Sequence, residues 1–106
     1  MLSERDKSAI VQTASQYGVH RVLLFGSSLR SDREGADIDI GIEGIPAKLF
    51  FKFYGDLIFK LSKPLDIIDL SQDNSFTRIV KKEGVVLYDE SWRTTWNWIR
   101  KHRKNL

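Results

Sequence analysis

Three aspartates occupy positions from which they could hold metal ions. Asp37 and Asp39 are separated by Ile38, and side chains two apart on a strand point to the same face. Two carboxylates so close repel each other, and a divalent cation relieves that repulsion. Mg²⁺ prefers hard oxygen ligands. With Asp66 as a third carboxylate, the set could hold two ions about 3.5–4 Å apart, the arrangement that serves in-line displacement at phosphorus.

A Gly-Ser turn supplies a candidate phosphate site. Gly26 and Ser27 follow the apolar run that ends at Phe25. Glycine lets a phosphate approach the backbone, and amides at a helix start, with the Ser27 hydroxyl, would face the anion. Arg30 could add positive charge. We therefore predict that Gly26, Ser27 and Arg30 bind the β- and γ-phosphates of a nucleoside triphosphate.

Each of these pieces has an ordinary explanation when it stands alone. An Asp-x-Asp pair at a strand edge is more often a pair of surface residues without a function, and a Gly-Ser after a strand is usually only a turn. The order of the pieces is more specific. An apolar strand and Gly-Ser are followed by nine spacer residues, an Asp-x-Asp strand, a helix, and an aspartate on another strand.

Alternating helices and strands are expected to position these residues. Asp37 to Glu43 has a strict period of two and predicts a strand with one aliphatic face. Ser3 with Asp6 matches a capping box, and Gly18 is a plausible stop for the first helix. The predicted helices are 3–18, 46–62, 76–83 and 91–103, and the predicted strands are 20–25, 37–43, 64–70 and 85–88. This pattern predicts an α/β (α+β) fold with a small mixed β-sheet flanked by helices.

Aromatic residues leave two questions open. The helix that begins at Pro46 carries four aromatic residues besides its regular apolar stripe, which indicates either a wider core contact or a partner surface: Phe50, Phe51, Tyr54 and Phe59. In the last helix, Trp92 and Trp96 share a stripe that we expect to cover the core. Trp98 points elsewhere and could anchor an interface.

Composition limits the class of protein. The 106 residues predict a single domain over 1–106, and the absence of cysteine excludes disulfide scaffolds and cysteine-based metal or nucleophile sites. The sequence shows neither a signal peptide nor an apolar run of membrane-spanning length, so we expect a cytoplasmic protein with no membrane partner. The net charge of +3 owes much to a basic C-terminal segment, which is either solvated or a contact for phosphates or an acidic partner.

The ordered motifs resemble the signature of the DNA polymerase beta-like nucleotidyltransferase superfamily. Leu24-Phe25-Gly26-Ser27 and Ala36-Asp37-Ile38-Asp39-Ile40 carry the resemblance, and Leu65-Asp66-Ile67-Ile68 is similar to the strand of the third carboxylate. Lys82 to Tyr88 is similar to the usual C-terminal segment. The short length resembles the minimal nucleotidyltransferase (MNT) branch. Two positions depart from the pattern, since Ser28 replaces a frequent Arg and Ser31 a frequent Gly.

The resemblance implies a function and a set of roles. Asp37 and Asp39 would bind both Mg²⁺ ions, and Asp66 would bind the catalytic ion and help to deprotonate the acceptor hydroxyl. Members of this branch are similar to antitoxins paired with a HEPN-domain toxin, onto whose tyrosine they transfer AMP from ATP. The implied partners are ATP and a HEPN toxin, in a homo- or hetero-oligomer, without direct nucleic-acid binding.

Two other functions compete with this one. The chain could neutralise a partner by contact alone, as a non-catalytic antitoxin, with its metal site degenerate. It could also transfer nucleotides to small molecules such as aminoglycosides, but that activity normally requires a larger substrate-binding domain. The complete set of Asp37, Asp39 and Asp66 favours the enzyme, because binding alone would not require it.

Overall fold

A mixed β-sheet with helices packed on it forms the fold. The computed structural model of the chain describes residues 2–26 and 37–102, apart from the side chains of residues 93–98 in the last helix. The predicted site residues Ser27 and Arg30 lie outside the described residues. The elements are α1 (Glu4–Gln16), β1 (Arg21–Phe25), β2 (Ile38–Glu43), α2 (Ala47–Ile58), β3 (Leu65–Asp69), α3 (Ser75–Glu83), β4 (Val85–Asp89) and α4 (Glu90–His102). The predicted α/β class and mixed sheet are confirmed.

The sheet has the strand order β3-β2-β1-β4. β1 is antiparallel to both β2 and β4, whereas β2 and β3 are parallel. Parallel neighbours need a crossover connection, and α2 supplies it. β2 and β3 therefore begin at the same edge of the sheet, and antiparallel β1 ends there.

The two faces of the sheet are covered unequally. Ile38, Ile40 and Ile42 are at most 1% exposed and pack in the larger core with Phe53 and Leu57 of α2. Each fully buried side chain of this size contributes about 1.5–3 kcal/mol. The other face has a smaller core, in which Leu23, Leu70 and Val80 meet beneath α3. Because β2 alternates, Asp39 lies on this less covered face.

The start of α1 differs from the predicted capping box. The Ser3 hydroxyl accepts a hydrogen bond from the Asp6 N–H at 3.1 Å, so the predicted N-cap is confirmed. The Asp6 carboxylate is instead 2% exposed and accepts hydrogen bonds from Ser62 N–H at 3.1 Å and Ser62 Oγ at 2.6 Å. Gly18 has a φ of +68° just beyond the helix, as expected for a helix stop. Asp6 therefore ties α1 to the loop that precedes β3.

Replacement of Asp6 tests this tie. We expect Asp6→Ala to lower the free energy of unfolding by about 2–3 kcal/mol, because charge-assisted hydrogen bonds are lost and the Ser62 donors are left unsatisfied. Urea denaturation would measure the change. Glu4→Gln, in the same turn of α1 but exposed, is the control and should change stability little. An equal effect of the two substitutions would contradict the role of Asp6.

α2 is shorter than the sequence pattern predicts. The helix ends at Ile58 rather than near Ser62, and Phe59 is its C-cap. The apolar spacing continues to Leu61, but the chain must turn back there to enter β3, and the bonds from Ser62 to Asp6 hold that turn. None of the helices in the described residues combines the length and apolar composition that crossing a bilayer requires.

The prediction that Trp92 covers the core is wrong. Trp92 is 52% exposed and lines a groove with Val11, Ser15 and Tyr88, because α4 packs mainly along β4 and leaves this ring at the margin of α1. The side chains of Trp96 and Trp98 lie outside the described part of α4, so their predicted roles remain predictions.

The junction of β4 and α4 contains a carboxylate with a shifted pKa. Asp89 accepts hydrogen bonds from Ser91 Oγ at 2.7 Å and from Ser91 N–H at 2.9 Å, and these bonds lower the pKa of Asp89. Because the folded pKa is below the usual carboxylate value of about 3.9, the resulting stability is complete above that pH and is lost as the pH falls through the folded pKa.

We expect Ser91→Ala to raise the pKa of Asp89. Carboxyl NMR titration would measure this pKa directly. Asp73 is an internal control, because its pKa is lowered mainly by a hydrogen bond from Arg78 and should not respond to Ser91→Ala. An unchanged pKa of Asp89 in the variant would show that the Ser91 hydroxyl does not cause the shift.

Candidate functional site

Two of the predicted metal ligands are direct neighbours across parallel strands. Asp39 of β2 is the register partner of Asp66 of β3. Neighbouring strands lie about 4.8 Å apart, and register partners present their side chains on the same face. Asp39 is half-buried and Asp66 is exposed. The fold therefore places these two carboxylates side by side on the less covered face, near the start of both strands.

The third predicted ligand lies at the same edge of the sheet. Asp37 immediately precedes β2 and is exposed. Within residues 2–26 and 37–102, no three Asp, Glu or His side chains are gathered closely enough to form a metal cluster. The backbone thus brings Asp37, Asp39 and Asp66 to one edge without closing them around a common point, and their role as metal ligands remains a prediction.

Gly26 lies against the central carboxylate. Its φ is +69°, and a Cβ added there would lie 2.7 Å from Asp39 Oδ2. The cause is the antiparallel register, which pairs Phe25 with Asp39 and leaves the next residue beside the carboxylate. The predicted phosphate turn and the predicted metal ligands therefore meet, and only glycine suits the space between them.

The chemistry of the three predicted ligands suits hard divalent cations. Asp37, Asp39 and Asp66 offer only carboxylate oxygens, the ligand type that Mg²⁺ prefers. Gly26 packs so closely against the Asp39 carboxylate that a Cβ there would lie 2.7 Å from Asp39 Oδ2, and phosphate oxygens and water would complete the coordination of Mg²⁺. These three residues would hold the ions.

The other acidic residues of these strands have structural partners. Glu43, at the far end of β2, forms a two-point ion pair with Arg21 at 2.8 and 3.1 Å and lies 3.5 Å from Lys81. The hydrogen bond to Glu43 raises the pKa of Arg21. Asp69 accepts a hydrogen bond from Ser71 N–H at 2.9 Å. The prediction that Asp69 has a structural role is confirmed, and the prediction that Glu43 lies outside the metal site stays a prediction.

Sequence reasoning missed a cavity next to this site. Phe76 and Ile79 of α3 are 53% and 55% exposed and line a space that reaches Gly26. The sequence does contain a signal for this cavity, namely the apolar residues Phe76, Ile79 and Val80. Together they cover a larger part of the surface of α3 than a nine-residue helix needs for packing on one strand.

The sequence profile of the family described as "Polymerase beta, Nucleotidyltransferase" matches residues 8–93. The chain belongs to this family. The match spans α1 through the start of α4 and includes all three strands that carry the candidate site. No curated protein is similar enough in sequence to this nucleotidyltransferase to count as a match.

Solved structures share the fold of this nucleotidyltransferase at low sequence identity. A toxin–antitoxin with AMP-PNP is 15% identical with a TM-score of 0.63, over 92% of this chain and 93% of that chain. The toxin–antitoxin MntA-HepT is 13% identical with a TM-score of 0.62, over 96% and 94%. A mutant of the toxin–antitoxin MntA-HpeT is 13% identical with a TM-score of 0.63, over 92% and 93%. These likenesses establish the nucleotidyltransferase fold.

Proposed function

We propose that this nucleotidyltransferase is an antitoxin that transfers AMP from ATP, with Mg²⁺, to a tyrosine hydroxyl of a HEPN-domain toxin. The observation that carries the proposal is the register of Asp39 with Asp66 beside Gly26. Family membership supports nucleotidyl transfer, and the shared fold with toxin–antitoxin structures, one of them with AMP-PNP, supports the toxin partner and the adenine nucleotide.

The proposed reaction is an in-line displacement at the α-phosphorus. The acceptor oxygen forms a bond to the α-phosphorus, the bond from that phosphorus to the bridging oxygen breaks, and pyrophosphate leaves with the electron pair. In the proposed reaction, Asp66, the more exposed of the paired carboxylates, accepts the hydroxyl proton. When bound, two Mg²⁺ ions would neutralise the negative charge on the phosphate oxygens. Gly26 lets the end of β1 pack closely against Asp39, and in the proposed reaction the triphosphate lies beside this contact.

Label transfer from ATP tests this function. The chain is incubated with Mg²⁺, ATP labelled at the α-phosphate, and the small helical protein encoded by the neighbouring reading frame. We expect label on a tyrosine of that protein, located by peptide mass spectrometry. ATP labelled at the γ-phosphate is the control, because a nucleotidyl transfer leaves that phosphate in pyrophosphate. Label from the γ-position on the partner, or no label from either, would contradict the proposal.

Neutralisation by contact alone is the second candidate function. Two aromatic side chains of α2 favour it, since Phe51 is 81% exposed and Phe59 is 91% exposed. Exposed aromatics of this size are typical of protein interfaces. A substitution separates the two candidates. Catalysis predicts that Asp39→Asn still binds the toxin but no longer neutralises it, whereas contact alone predicts full neutralisation by the variant.

A further inference from the structure

A cavity of about 450 Å³ lies between the end of β1 and α3, on the less covered face of the sheet. Small-molecule sites usually occupy about 300–1,000 Å³, so the space suits a ligand fragment. Its walls are mainly apolar, with one carboxylate among the described residues. The lining residues used below are Phe25, Gly26, Phe76, Ile79, Glu83 and Gly84.

Packing among residues 2–26 and 37–102 does not account for the apolar wall. α3 buries Thr77 and Val80 on the side that faces the sheet. Phe76 and Ile79 are left 53% and 55% exposed around the cavity. The Phe76 ring meets Phe25 edge to face, with centroids 5.9 Å apart and an interplanar angle of 78°. This contact fixes the orientation of the Phe76 ring, and much of the ring stays accessible to solvent.

The cavity adjoins the candidate site. Gly26 lines it, and Gly26 is also the residue whose added Cβ would lie 2.7 Å from Asp39 Oδ2. Phe25, another lining residue, is the register partner of Asp39. At the far wall, a Cβ on Gly84 would lie 2.6 Å from the Val80 carbonyl oxygen. Packing therefore restricts both positions to glycine, and Gly26 lies between the cavity and the Asp39 carboxylate.

We propose that this cavity binds the base of the nucleoside triphosphate whose phosphates lie beside Gly26. The inference rests on the proposed function, and it adds a residue set for the base. Aromatic side chains hold bases by ring contact, whatever the base, and Phe76 and Ile79 offer such a surface. Glu83 can accept a hydrogen bond from the exocyclic amine of adenine. The phosphates extend toward Asp39, and the base extends toward α3.

The test compares ATP with inorganic tripolyphosphate, which has the phosphates and lacks the base. Isothermal titration calorimetry with Mg²⁺ would measure both affinities for the full chain. We expect ATP to bind more tightly than tripolyphosphate. Phe76→Ala should weaken ATP binding about tenfold, a typical loss for one base–aromatic contact, and should leave tripolyphosphate binding unchanged. Ile79→Ser should act in the same direction.

Phe51→Ala is the matched control, because Phe51 is an exposed aromatic on α2, which covers the opposite face of the sheet. It should change neither affinity. Equal affinities for ATP and tripolyphosphate, no binding of either, or equal weakening of both by Phe76→Ala would overturn the inference. If ATP binding depends on Phe76 but no AMP reaches a partner, the base site stands and the proposed function fails.

Discussion

Asp39→Asn should reduce AMP transfer by about a thousandfold or more, because a two-metal clamp loses its central ligand and with it several kcal/mol of transition-state stabilisation. The side chain keeps its shape, so packing against Gly26 should persist. One negative charge is removed from beside Asp66, and like charges repel. The melting temperature should therefore stay the same or rise while activity is lost. Label transfer and a thermal melt measure the two quantities.

Asp69→Asn is the matched control for this loss. Asp69 is on β3 with Asp66, but three positions along the strand, so it faces the other side of the sheet. Its carboxylate accepts a hydrogen bond from Ser71 N–H, which an amide oxygen can also accept. Activity should be unchanged. Near-normal transfer by Asp39→Asn, or an equal loss in Asp69→Asn, would remove the paired carboxylates from the mechanism.

Gly26→Ala should abolish transfer by a different route. The new Cβ would approach Asp39 Oδ2 to 2.7 Å, a contact that requires the carboxylate or the turn to move. The φ of +69° adds a backbone cost of about 1–2 kcal/mol for any residue with a side chain. We expect a fall of about a hundredfold or more in activity, as small displacements of catalytic groups cause, together with a lower unfolding free energy.

Gly18→Ala separates the backbone cost of a positive φ from the effect of the contact with Asp39. Gly18 has nearly the same φ, +68°, but a Cβ there would meet nothing within 4 Å. This variant should lose about 1–2 kcal/mol of stability and keep full activity. Chemical denaturation and label transfer on both variants make the comparison. Equal activities in Gly26→Ala and Gly18→Ala would show that the closeness of Gly26 to Asp39 has no catalytic consequence.

The positions of the candidate site were largely predictable from the sequence. Asp39 lies in a strictly alternating strand, and Asp66 lies at the start of an apolar run, so each was assigned to a strand without knowledge of the other. Period-two alternation also predicted which face of β2 is buried. The glycine at the end of β1 was predicted to admit phosphate. Its contact with Asp39 was not predicted, because that contact depends on the register between two strands.

Long-range pairings explain most of what was missed. Asp6 and Ser62 are 56 positions apart, and nothing local indicates that the Asp6 carboxylate leaves its own helix to bind that loop. The same pairing ends α2 before its apolar spacing ends. The exposure of Trp92 depends on how α4 lies along β4, which the spacing of tryptophans within one helix cannot show. Element type follows local pattern, whereas element ends and side-chain partners follow the tertiary structure.

The strand order has a consequence for how a large acceptor reaches the reacting phosphate. β3 ends the described sheet, so Asp66 borders a flank on which the described chain places no further strand. A tyrosine of another protein could reach the candidate site from the side of the sheet that ends at β3, without entering an enclosed cleft. The outer side of β3 has no strand partner among the described residues, and a visiting chain can pair with such a strand. Such lateral entry suits a macromolecular acceptor better than a small metabolite, which would be held there on one side only.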